Sequence, residues 1–155
     1  MVNTAKKIGT TMIVLAVLSS ASNVNSHSGA TGVVKRRMDA MSDMADAMKA
    51  MASVVKGKQA FDHVVFIESG ELIAGHSEML PTLFPDGSIQ GSSESVPKIW
   101  QQWDDFVNLS DRTKANAEEL VIMAENGVEL RPLTKQFVKL GSSCKACHKD
   151  YRKKK

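Results

Sequence analysis

Apolar side chains in this chain recur every three or four positions, the period of a helix face, and show no strand pattern of alternation. Outside the first twenty residues there are few β-branched runs, and nine methionines stand against one tyrosine and two tryptophans; that composition favours helix. From Val33 to Val55 the residues Val34, Met38, Met41, Ala45, Met48 and Met51 share one face, and Gly57 is suited to a left-handed C-cap. Ala60, Val64, Ile67 and Leu72 predict a second helix running to about Glu78, with Gly70 and Gly75 weakening its second half. A third starts near Ser95 to Pro97, with Ser95 as N-cap and Pro97 in the first turn. It carries Ile99, Trp100, Trp103, Phe106, Leu109 and Leu120 and stops at Asn126-Gly127. A fourth begins around Arg131-Pro132, carries Leu133, Phe137 and Leu140, and runs into the closing segment SSCKACHKDYRKKK.

Short turns join the first pair of helices and the last pair, whereas residues 79–97 form a long segment rich in proline, glycine and serine. The expected fold is all-α, an antiparallel four-helix bundle, the architecture that places cofactors among its core side chains. A loop as long as 79–97 in a compact domain is expected to be functional or to cover something.

At the N-terminus, Lys6 and Lys7 precede an apolar run from Met12 to Leu18 and then small residues, the layout of a secretory signal peptide. The run falls short of the ~20 apolar residues a spanning helix needs. Residues 1–26 are therefore read as the signal peptide, cleaved after Ser26 or after Ala21, with a membrane anchor retained after export as the alternative, and 27–155 as one domain exported to the periplasm. Removal of 1–26 leaves 18 basic against 17 acidic residues, far from the basic excess of a nucleic-acid binder, so that class is set aside. Export places the two cysteines in an oxidising compartment. A structural disulfide between Cys144 and Cys147 makes poor sense there, because so short a loop constrains the unfolded chain little.

Cys-x-x-Cys serves three chemistries: a redox dithiol, half a zinc site, and covalent haem attachment. On a helix Cys144, Cys147 and His148 point to the same side. Two thiols can then add to the two vinyl groups of haem while the adjacent imidazole reaches the iron, and Cys-x-x-Cys-His is the signature of that attachment. A zinc site needs four ligands, and only His27, His63 and His76 remain as further soft donors. A thioredoxin-like dithiol calls for a βαβ setting, which the pattern lacks. Haem fits best, with zinc and dithiol as the alternatives.

The chain also resembles the cytochrome c′ family, the class II c-type cytochromes. The resemblance covers roughly residues 33–155. It rests on the C-terminal GSSCKACHKDYRKKK, on Arg37 with Met41 four residues on, on VVKG at 54–57 and on PKIW at 97–100. It implies one covalent haem c per chain, with Cys144 and Cys147 as thioethers and His148 as the axial iron ligand. By the same resemblance Arg37 pairs with a haem propionate and Glu94 approaches one, Met38 lies against the haem, Met41 occupies the distal side, and Arg152 shields the proximal face. The implied function is electron transfer, or alternatively capture of nitric oxide or carbon monoxide at a five-coordinate iron. It implies a homodimer through the first two helices, and leaves the redox partner unnamed. No distal His or Arg pair suggests a peroxidase, so no enzyme activity is expected.

Plainer readings stand beside these. The methionine spacings of the first helix are those of a packed face, and methionine fills irregular gaps well. Arg37, with Lys35 and Arg36 beside it, has a plainer alternative as a solvated cation. His63 and His76 are expected to be exposed, Trp100 and Trp103 to anchor the core or loop, and the terminal lysines to complement the helix dipole.

Overall fold

The structure is a computed structural model in which residues 29–154 are described. The expected signal peptide, residues 1–26, and His27 lie outside them. Helix α1 spans Gly32–Val55, α2 His63–Met79, the one-turn α3 Lys98–Gln101, α4 Trp103–Glu125 and α5 Leu130–Tyr151, with a 3₁₀ turn at Leu80–Leu83. The four long helices form an antiparallel bundle, and no strand is present among the described residues.

Local chemistry sets most boundaries. α1 closes on Gly57 at φ +67, and α4 closes on Gly127 at φ +67, both as the sequence predicts. α2 begins three residues later than expected because Asp62 caps it, its carboxylate accepting from the Val64 N–H at 2.9 Å. α2 also runs unbroken through Gly70. A Cβ on Gly70 would lie 2.5 Å from Val121 Cγ2 and 3.2 Å from the Ala117 carbonyl oxygen, so this glycine is what lets α2 approach α4.

Two expectations for the third helix are corrected. It breaks at Gln102 (φ −130, ψ 48), separating α3 from α4. The turn carries Trp100 onto the preceding loop, where its indole N–H donates to the Phe84 carbonyl at 3.0 Å; the apolar period runs across a one-residue break unaltered and does not reveal it. Ser95 is not the N-cap, a position held by Pro97. Ser95 instead forms an isolated antiparallel bridge with Arg152.

The core has two parts. Toward the α1–α2 and α4–α5 turns, Met51, Val54, Phe66, Ile73, Leu120, Leu133 and Leu140 are fully buried against one another. At the opposite end Leu80, Leu83, Phe84, Ile99, Phe106 and Tyr151 belong to a second cluster, in which Phe106 is edge-on to Phe84 and Tyr151. α1 packs chiefly on α2, α2 on α4 and α4 on α5, whereas α1 and α5 scarcely meet. What separates them is the site.

Candidate functional site

Two adjoining cavities open between α1 and α5. The larger, about 400 Å³, is bounded by Arg37, Met38 and Met41 on α1, by Glu94 on the long segment, and by Cys147, His148 and Arg152 at the end of α5. The smaller, about 280 Å³, continues toward the aliphatic core between Met41, Met44 and Met48 on one side and Cys144, Cys147 and His148 on the other. Met41, Cys147 and His148 border both. All eight residues singled out from the sequence thus line one compartment, and the segment 79–97 covers it, as a loop of that length suggests.

α5 delivers its three groups by helical spacing alone. Cys144 and Cys147 are half-buried and not joined in a disulfide. Burial pushes the Cys144 thiol up, and burial together with Cys144, Asp105 and Asp150 pushes Cys147 up to about 11. A reactive dithiol needs the opposite, a depressed thiol, so the dithiol alternative lacks its electrostatics. Among the described residues no group of three or more His, Cys, Asp or Glu is placed to hold a metal ion by itself, which leaves the zinc alternative without its further ligands. His148 is held below the usual imidazole range, first by burial and then by Arg152, with Glu94 opposing. These surroundings favour the neutral imidazole, the form that ligates metal.

Arg37 is 4% exposed, which excludes the solvated reading. One guanidinium nitrogen, Nη1, donates to Ser95 Oγ at 2.8 Å; Nη2 donates to the Ser88 carbonyl at 2.7 Å and to Ser88 Oγ at 3.1 Å. The group lies 4.1 Å from the centroid of the Phe84 ring. Its Nε is buried with no partner, an orphaned charged donor beside a mostly apolar cavity. Together with two thiols and a neutral imidazole, that set of groups fits a flat apolar cofactor bearing carboxylates.

The methionines behave as packing residues in part: Met51 is fully buried, while Met38, Met41 and Met48 are half-buried against the cavities. His63 and His76 are corrected, since neither is exposed. His63 Nε2 lies 3.0 Å from the Val128 carbonyl oxygen and ties α2 to the α4–α5 turn; His76 is half-buried, 3.4 Å from Asp43 on α1. Sequence reasoning missed Ser88, Ser95 and Phe84 as the cradle of Arg37, because contacts 51 and 58 residues apart leave no periodic trace. It gave Tyr151 no role of its own, although that residue stands three positions after His148, lines the larger cavity and donates to Asp105 Oδ2 at 2.6 Å.

Comparison with known proteins places this geometry. The family model described as Cytochrome C′ matches residues 32–152. Cytochrome c-556 of Agrobacterium tumefaciens (strain II Chrys) is 31% identical over 124 residues, covering 80% of this chain and 99% of the relative. The solved cytochrome c′ of Rhodopseudomonas palustris superposes with a TM-score of 0.74 at 31% identity, over 81% of this chain and 99% of that one. A nitric oxide complex of a point mutant of cytochrome c prime from Alcaligenes xylosoxidans superposes with a TM-score of 0.71 at 32% identity, over 79% and 94% of the two chains. With a family match spanning nearly the whole described bundle and a Cys-x-x-Cys-His turn lining its cavity, this chain belongs to the cytochrome c′ family and binds one haem c covalently.

Proposed function

We propose that this chain is a periplasmic electron-transfer protein in which Cys144 and Cys147 are the thioether attachments and His148 is the axial iron ligand. The observation that carries the reading is the one turn of α5 that sets Cys144, Cys147 and His148 along a single compartment. Bound there, haem c supplies a one-electron couple and an iron with one position left to the protein or to a small ligand. The chain's own residues do the rest. Met38, Leu80 and Phe106 exclude water from the larger cavity. Arg37 Nε would donate to a propionate oxygen, Glu94 would stand at the mouth, and Arg152 disfavours protonation of His148. The layout of residues 1–26 supports export, and among the described residues no helix is long and apolar enough to cross a membrane. The exposed Val64 and Leu72 of α2, 50% and 39% accessible, support a homodimer through α1 and α2.

A second reading, capture of nitric oxide or carbon monoxide, is favoured by one feature. Met41 is half-buried and borders both cavities beside His148, so packing against α2 and α5 can hold its thioether away from iron and leave a ligand position open. The spectrum of the purified ferrous protein separates the two. High-spin iron that binds carbon monoxide slowly, with faster binding and no change of spin state in Met41→Ala, supports gas capture. A low-spin spectrum that becomes high-spin only in Met41→Ala makes the protein a methionine-ligated electron carrier. In His148→Ala the haem stays attached and the spectrum changes; an unchanged spectrum removes His148 as the ligand.

A further inference from the structure

Formal charge is close to balanced over the described residues, yet its two signs are segregated. Residues 38–129 carry six Lys or Arg against sixteen Asp or Glu, whereas residues 130–154 carry eight against Asp150 alone. Asp150 is itself occupied by Lys98 at 3.3 Å. Five of the eight cations, Arg131, Lys135, Lys139, Lys145 and Lys149, are exposed along α5. At 100° per residue they fall within a sector of about 120°, so they make one stripe from the α4–α5 turn to the Cys-x-x-Cys-His turn. None of the five joins an ion pair among the described residues.

Lys149 suits the last turn of its helix, but elsewhere the stripe opposes the stability of α5. Arg131 with Lys135, Lys135 with Lys139, and Lys145 with Lys149 are like charges at i,i+4, each pair unfavourable. Arg131 and Lys135 also sit near the positive end of the helix dipole, with no acid in the first turn to offset them. Solubility needs only mixed charge, so it does not by itself call for a one-sign stripe. It spans about 27 Å, while charges are screened over about 8 Å at physiological ionic strength. An approaching molecule therefore meets the local field of α5 rather than the near-neutral whole.

We infer that this stripe is the docking surface for a redox protein with a carboxylate-rich face, brought by Lys145 and Lys149 against the α5 side of the cofactor compartment. That the partner is a redox protein rests on the electron-transfer reading; the binding itself does not. The exchange is of one electron, the donor oxidised by one as the acceptor is reduced by one, with no proton or atom moving. A membrane surface fits less well. The stripe includes one large exposed apolar residue, Val138, and the apolar face of α5, with Leu133 and Leu140, is buried in the bundle rather than available for insertion.

The test uses the holoprotein with poly-L-glutamate as an acidic probe, and measures its oxidation by hexacyanoferrate(III), an anion, and by tris(bipyridine)cobalt(III), a cation. Poly-L-glutamate is expected to shift the amide resonances of α5 at low salt. The pairs Lys135→Glu/Lys139→Glu and Lys145→Glu/Lys149→Glu should each weaken that binding at least about tenfold while leaving the haem spectrum unchanged. Oxidation by the anion should slow about tenfold in Lys145→Glu/Lys149→Glu and on raising salt, and oxidation by the cation should quicken in that variant. Binding that ignores both pairs, or shifts confined to other helices, overturns the inference. So does stripe-dependent binding of phosphatidylglycerol vesicles without binding of poly-L-glutamate, which would make the partner a membrane. Stripe-dependent binding of poly-L-glutamate with no electron exchange with either oxidant leaves the docking surface standing and removes the electron-transfer reading.

Discussion

At the end of the bundle near its two short turns, mostly aliphatic side chains of α1, α2, α4 and α5 fill the interior, with Ile73, Leu120, Leu133 and Leu140 fully buried around the ring of Phe66. At the other end three aromatic rings join the buried aliphatic residues, and Phe84, Phe106 and Tyr151 stand as walls of the cavity of about 400 Å³. The first end is held by helix meeting helix. The second is held by a cation, Arg37, bonded to loop serines, and by the chain's last residues, where the Lys153 N–H donates to the Glu94 carbonyl at 2.7 Å. Protein interiors pack densely and lose stability when they enclose empty space. Only an occupant can complete the second end, through contacts with Arg37 and the cavity walls that the unfolded chain does not make even when the group stays attached to it.

The largest effect follows from removing the attachment. In Cys144→Ala/Cys147→Ala no haem should remain after denaturation and acid-acetone extraction, because thioethers survive unfolding where axial bonds do not. Amide exchange should then quicken around Arg37, Ser88 and Ser95, while Phe66, Leu120 and Leu133 keep their protection. Haem retained covalently by the variant would contradict the attachment. Protection lost equally at both ends would contradict the division of the bundle.

The converse comes from the filled end. Phe66→Ala removes a fully buried ring and should cost about 3–5 kcal/mol of unfolding free energy, read from denaturant midpoints, with the haem spectrum unchanged. Phe66 lines neither cavity. A spectral change in this variant would mean that the two ends are coupled more tightly than their separate clusters imply.

The same division explains what could be read in advance. The filled end depends on helix faces, and faces are written in spacing: the period of Val34 to Met51 and the stops at Gly57 and Gly127 correspond to observed elements. Gly70 looked like a weakness because the reason for it, Val121 on another helix, is 51 residues away. At the cavity end the Cys-x-x-Cys-His turn was legible because its three groups are neighbours in sequence. The placement of Arg37, Met38, Met41, Glu94 and Arg152 came from family resemblance, since residues that converge from α1, the loop and the C-terminus share no local pattern. The cradle of Arg37 was not legible at all. Its serines sit in a segment whose composition indicates a loop and nothing about where that loop lies.

The smallest predicted effect belongs to Tyr151, at the seam between cavity and bundle. Its ring is 4% exposed and edge-on to Phe106, and its hydroxyl donates to Asp105 Oδ2 at 2.6 Å. Burial raises the phenol above its ordinary value, and the hydrogen bond to Asp105 and that carboxylate's charge act the same way. The folded state thus holds this proton more tightly than the unfolded chain does. The contribution is complete below the unfolded phenol pKa of about 10 and is lost as pH rises beyond it toward the higher folded value. Hydrogen-bond contributions of this kind are about 1–2 kcal/mol. Tyr151→Phe should therefore lower stability by about that amount at pH 7 to 9, and the gap from the wild type should narrow as pH rises above about 10. Because Phe keeps the ring against Phe106, the haem spectrum should not change. Denaturant titrations of both proteins across pH 7 to 11 read the gap directly; a gap that stays constant, or widens with pH, would show that the hydroxyl contributes by some route other than its retained proton.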